Sequence, residues 1–217
     1  MVKSGEKSPT GAASRSLIHL PIIHTPADMG ALRSVVQQLQ VSKLGRRGWQ
    51  RNVDLVDRLW ARIERTIAGL SLPYARVRVY QDGLPECGRE AEIVAELAKA
   101  GSRNHRLLLR LKDKGATLMG TESPDLLQQE YQLVIEALSS PDPKEIARRE
   151  ARQKAVRDSL LERRDLHIAA RINSTLGQQE TGILFLGALH SVAHLLDKDI
   201  RIIYPLDRPV SNRAGSR

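Results

Sequence analysis

Short apolar runs alternate along this chain with longer stretches in which apolar residues recur every three or four positions. That alternation marks buried strands separated by amphipathic helices. It predicts an α/β fold with a mostly parallel central sheet of about five strands flanked by helices. Strands are expected at residues 17–23, 75–80, 116–120, 183–186 and 200–204. The fourth, Ile183-Leu184-Phe185-Leu186, is apolar at every position, as a strand covered on both faces requires. The second alternates Val77 and Val79 with Arg76 and Arg78, a pattern that suits a place nearer a sheet edge.

The helices are announced by their ends. Thr25-Pro26-Ala27-Asp28 supplies an N-cap hydroxyl, a first-turn proline and a capping-box acid, predicting a helix to about residue 41. Residues 43–48 read as a basic, glycine-containing loop, and 52–68 as a second helix with Val53, Val56, Leu59, Trp60 and Ile63 on one stripe. Helices follow at 90–100, 102–114 and 125–138, the first two stopped by Gly101 and Gly115. A proline-rich break at 139–143 precedes a long charged helical segment, 144–176. The middle of that segment has few apolar residues. It is expected to project from the domain or pack on a partner, which offers a surface for homo-oligomerisation. A short helix at 192–196 leads to the last strand. The organisation expected is one domain, 17–206, between disordered tails at 1–16 and 207–217.

Aromatic residues make up only 3% of the chain, so the core must be built from Leu, Ile, Val and Ala. Cys87 is the one cysteine, which excludes a disulfide framework and a cysteine-rich metal site. Any metal would take His, Asp and Glu ligands. The N-terminal residues lack the apolar core of a signal peptide, and no segment has the length to cross a bilayer. A soluble, cytoplasmic protein is expected. The formal charge is +9, and residues 33–65 carry eight basic residues against three acidic ones. Such a face suits nucleic acid or another polyanion. Only Trp49 and Trp60 fall among these arginines, too few for a row of stacking platforms, so a solvated Arg-rich helix surface is the simpler reading.

The polar residues that follow the strands carry the functional argument. His24, Gln81-Asp82, Thr121-Glu122 and His190 each come at or just past a strand's carboxyl end, and parallel strands bring such positions to one edge of the sheet. His24 and His190 are candidates as metal ligands or as base and orienter, with Glu122 or Asp82 polarising water. A divalent metal ion would take His24, His190 and Glu122. The remaining polar residues have ordinary readings. Asp28 caps, and Asp82 also suits a turn with Gly83. His194 is expected to pack half-buried, since its spacing from His190 lacks the glutamate of a metalloprotease helix. Cys87 has no local activator, and Arg103, Asn104 and His105 open a helix.

The segment Arg164-Asp165-Leu166-His167-Ile168-Ala169-Ala170-Arg171-Ile172, followed by Ile183 to His190 with Gly187-x-x-His190, resembles the TraB/ChaN/erythromycin-esterase-like superfamily. An earlier strand ending in Pro21-x-x-His24 falls where that family has its first strand-end histidine. Pro21 stands in place of a glycine, Asp165 in place of an asparagine, and Gln81-Asp82 in place of the acidic residue after the second strand. The resemblance implies an α/β fold with functional side chains at one sheet edge, and it singles out His24, Arg164 and His190, completed by Asp82 or Glu122. Its members include hydrolases, metalloprotease-like proteins and a haem-binding lipoprotein, so it names no single reaction. The function expected is a hydrolase acting on a small-molecule or peptide substrate at a His/carboxylate site. Arg164 would hold an oxyanion or the carboxylate. One alternative is a non-catalytic small-ligand sensor on the same fold. The other is a nucleic-acid-binding or assembly protein that uses the basic helices.

Overall fold

A computed structural model describes residues 15–28, 30, 33–138 and 143–206. Five strands, β1 (Arg15–Ile22), β2 (Val77–Gln81), β3 (Thr117–Met119), β4 (Thr181–Gly187) and β5 (Ile200–Ile203), form one sheet in the order β3-β2-β4-β1-β5. Every pairing is parallel. Six α-helices accompany them: α1 (Arg33–Ala68), α2 (Glu90–Lys99), α3 (Arg103–Asp113), α4 (Pro124–Leu138), α5 (Pro143–Arg152) and α6 (Lys154–Thr175). The fold is α/β.

The two-residue period of β4 divides the core. Ile183 and Phe185 join Val56, Trp60 and Ile63 of α1 and Leu107, Leu108 and Leu111 of α3 on one face. Leu184 and Leu186 join Ile168, Ala169 and Ile172 of α6 on the other. This three-layer arrangement is why Ile183–Leu186 of β4 has no polar position: both of its faces are covered. The strand order also creates a crevice. The chain leaves β2 toward β3 on one side and leaves β4 toward β5 on the other, so the carboxyl ends of β2 and β4 flank a topological switch point.

Several expectations are corrected. Residues 15 and 16 belong to β1 rather than to a tail. Arg15 is buried because its guanidinium reaches Asp199 at 2.6 Å, Asp197 at 2.8 Å and the carbonyl of Asn173 at 2.7 Å. Among the described residues, Thr25 opens a 3-10 turn, Pro26–Asp28, rather than a continuous helix, and α1 begins at Arg33. The break expected at 43–48 is present but shorter than a loop: α1 consists of two helical segments that meet at a kink at Gly45 (φ 68°, ψ 164°), a conformation that favours glycine. β2 lies one strand in from the edge, and it tolerates Arg78 because Glu180 pairs with that side chain at 2.5 Å. The charged segment divides at Gln153, and its second half does not project: Leu160, Arg164, Asp165, Ile168, Ala169 and Ile172 of α6 are buried. The helix expected at 192–196 is a 3-10 turn, Ala193–Leu195, and His194 is exposed. The break at 139–142 and the tails 1–14 and 207–217 lie outside the described residues.

Candidate active site

β1, β4 and β2 are neighbours, so the residues at their carboxyl ends must meet. Ile22 pairs with Gly187, and Phe185 with Gln81. The Asp82 backbone N–H donates to the Phe185 carbonyl at 2.9 Å, extending the ladder by one residue and fixing the start of the Asp82 side chain. Gly83 then turns the chain with φ 79°. Asp82 Oδ2 accepts the Gly187 N–H at 2.9 Å, and a Cβ on residue 187 would lie 2.7 Å from that same oxygen. Glycine at 187 is therefore what lets the carboxylate reach across to β4.

All five candidate residues converge here. His24 Nε2 lies 3.0 Å and His190 Nε2 3.5 Å from Asp82 Oδ2. Arg164, presented from the buried face of α6, grips Glu122 with Nε to Oε2 at 2.8 Å and Nη2 to Oε1 at 2.5 Å. The same Nη2 reaches Asp82 Oδ1 at 3.0 Å, so one guanidinium bridges both carboxylates. Glu122 also accepts the Gly83 N–H at 3.1 Å and is fully enclosed. His24 is the outward member, its side chain 28% exposed against 4% for His190 and 5% for Asp82.

Three participants escaped the sequence reading. Asp165 receives His190 Nδ1–H at 2.6 Å and the Ser191 backbone N–H at 2.9 Å, holding the imidazole from behind. Its signal was adjacency to Arg164 in the motif, where it had been noted only as standing in place of an asparagine. Glu130 of α4 takes the third guanidinium nitrogen at 2.7 Å, and nothing local in its helix marked it. The Gly187 N–H is backbone and has no side-chain signal at all.

Burial and pairing oppose one another throughout the cluster. Burial disfavours the charged form of His190, but its bonds to Asp165 and Asp82 outweigh this and raise its pKa to about 9. The same balance raises His24 above its ordinary value, with Asp82 as the partner. Asp82 is held well below the usual carboxylate range: burial alone would raise it, and the two imidazoles overcome that. Burial pushes Glu122 upward against the pull of Arg164. Arg164 stays fully charged, its desolvation outweighed by Glu122.

His24 also lines a cavity of about 460 Å³ formed with the Pro26–Asp28 turn, α1 and the start of α3. A second buried Asp/His group, Asp28 with Ser102 and His105, lies where α3 begins. Ser102 is the N-cap of α3, accepting the His105 N–H at 3.1 Å, and it is fully buried. Asp28 accepts the Thr25 N–H at 2.6 Å and the Thr25 hydroxyl at 2.9 Å, as a capping acid does. Cys87 is exposed, and Arg103 is taken by Glu64 at 2.7 Å. Among the described residues no helix is long and apolar enough to cross a membrane. The chain matches no family model, no curated protein and no solved structure.

Proposed function

We propose that this protein is a hydrolase in which His24, oriented by Asp82, is the general base. The observation that carries the reading is a buried carboxylate paired at 3.0 Å with the one histidine of the cluster that reaches a cavity. With Nε2–H donated to Asp82, His24 keeps its lone pair on Nδ1. That nitrogen takes a proton from water as the oxygen adds to an acyl carbon. The tetrahedral adduct then collapses, the bond to the leaving alcohol or amine breaks, and the leaving group departs with the proton from Nδ1. Arg164 bridges Asp82 and Glu122 and offsets their mutual repulsion, and Asp165 fixes His190 beside them. The similarity to the TraB/ChaN/erythromycin-esterase-like proteins belongs to this proposal and is consistent with it.

Metal assistance is the second reading, favoured by ligand atoms of Asp82, Glu122 and His190 that all lie within 4.8 Å of one another. Asp165 behind His190 is the kind of partner that fixes the tautomer of a metal-bound imidazole. The fit fails at Glu122, whose two oxygens are both engaged by Arg164, so a cation would have to displace a guanidinium. No step is therefore assigned to an ion.

The test uses 4-nitrophenyl butyrate and 4-nitrophenyl phosphate as probes of acyl and phosphoryl transfer. Turnover of the butyrate ester should fall roughly 10²- to 10⁴-fold in His24→Gln, while the melting temperature changes little. In the parent protein, the rate should rise with pH through a value above the ordinary histidine range, because His24 must be neutral to act. Undiminished turnover in His24→Gln would overturn the assignment. Loss of activity on chelation, restored by a stoichiometric divalent ion, would favour the second reading.

A further inference from the structure

We infer that the cavity beside His24 selects substrates that carry an anionic group on an apolar body. This inference rests on the hydrolase reading for the reacting end of the substrate and goes beyond it in naming what is bound. The cavity, about 460 Å³, is of the size that takes a small organic ligand. Its wall divides by chemistry. Trp49, Val53 and Val56 of α1 supply the apolar side, whereas Arg33, Arg103 and Arg106 supply the charge. Arg103 is already paired with Glu64 at 2.7 Å. Arg33 gives one N–H to the Ala100 carbonyl at 2.7 Å, and Arg106 is exposed. Among the described residues neither has a carboxylate partner. Two uncompensated guanidinium groups thus share one concave site with a single lining carboxylate, Asp57, which itself lies 3.8 Å from Arg103.

Guanidinium groups in a concave, partly apolar site attract anions, and each can grip a carboxylate or phosphate through two N–H donors. Gln40, also in the wall, keeps its Oε1 buried with no partner among the described residues, an open acceptor for a hydrogen-bond donor on the body of the ligand rather than for its anion. A substrate that places its anion at Arg33 and Arg106 and its apolar part against Val53 and Trp49 has its reacting carbonyl left for His24. The anion is a carboxylate or a phosphate. The chemistry is shared, and the experiment separates the two.

Binding is read first, by ligand-observed NMR, for 4-phenylbutyrate, phenyl phosphate and the neutral 4-phenylbutanamide. At least one anion should bind roughly tenfold tighter than the amide, and the tighter one names the source. That preference should vanish in the double variant Arg33→Gln/Arg106→Gln. Both side chains are exposed, so the double variant is expected to fold, and either single variant should halve the preference on a logarithmic scale. Turnover is read next, comparing mono-4-nitrophenyl succinate with 4-nitrophenyl butyrate, which differ by a carboxylate in place of a methyl. The succinate ester should have the higher kcat/KM through KM, with the ratio falling to near one in the double variant. Equal binding of amide and anions, or a preference that survives loss of both arginines, overturns the inference. Anion binding that persists while neither ester is turned over sinks the hydrolase reading alone.

Discussion

Two buried groups in this molecule contain an aspartate and a histidine, and only one is built as a site. Around Asp28 the partners are the Thr25 backbone and hydroxyl three residues away, together with Ser102 and His105 from the start of α3. Around Asp82 they come from the segment after β1, from the end of β4, from α6 and from the loop after β4. By residue type the first group, Asp-Ser-His, is the more suggestive, yet its serine is fully enclosed and spends its oxygen on a helix end. The lesson is that residue types do not identify a site; what separates the two is whether the polar groups are all spent on closing a turn and a helix end or leave one member facing a cavity. The first pattern closes a turn, and the second leaves one member, His24, facing a cavity.

The sharpest way to break the contrast is Arg164→Ala. It would strand Asp82 and Glu122 as buried like charges, and loss of one partner from such a group costs about 3–5 kcal/mol. Urea unfolding should show that loss, and the added change Glu122→Gln should recover part of it. A loss below about 1 kcal/mol would mean that the cluster is hydrated and loosely coupled.

Titration separates the groups next. His190 has a folded pKa of about 9 against an ordinary 6.5, so its contribution is complete below about pH 6.5 and is lost as pH rises through 9. At ~1.4 kcal/mol per unit this is about 3 kcal/mol. Metal-free protein should therefore lose denaturant stability between pH 7 and 10, and Asp165→Asn should flatten that slope. An unchanged slope in the variant would show that Asp165 does not hold the proton.

Much of this was legible before any coordinates. The apolar run of β4 announced a central strand because burial on both faces leaves no room for a polar residue. His24, Asp82, Glu122 and His190 were found because parallel strands place their carboxyl ends together, and Arg164 came through the motif. What stayed hidden was non-local. The role of Asp165 depends on a loop some 25 residues away, and the two segments of α1 meet at one kink at Gly45 rather than across the whole of 43–48. The capping signal at Thr25 was read correctly as chemistry and wrongly as length, since a cap closes a 3-10 turn as readily as it opens a long helix.

Smaller effects refine the comparison further. Gly187→Ala brings a methyl to within 2.7 Å of Asp82 Oδ2, an oxygen that Gly187 N–H and His24 already fix. A cost of about 1–3 kcal/mol is expected, together with a fall in esterase turnover; a neutral result would show that Asp82 has freedom to move. Ser102→Ala removes the α3 cap together with the buried hydroxyl's bond to Asp28 and should cost about 1–3 kcal/mol with turnover of 4-nitrophenyl butyrate retained. Loss of that turnover in a folded protein would promote the Asp28 group from closure to function.

The strand order has a consequence for how the molecule comes into being. β4 lies between β1 and β2, yet more than 150 residues of chain separate it from β1. A chain growing from its N-terminus carries Asp82 and Glu122 long before Arg164 exists to neutralise them, and before β4 can join the two halves of the sheet. Until that insertion, both acids stay in water and the edges of β1 and β2 stay open. Sheet closure and the alignment of His24 with His190 thus both await the insertion of β4, so the site is complete only when the last third of the chain is in place.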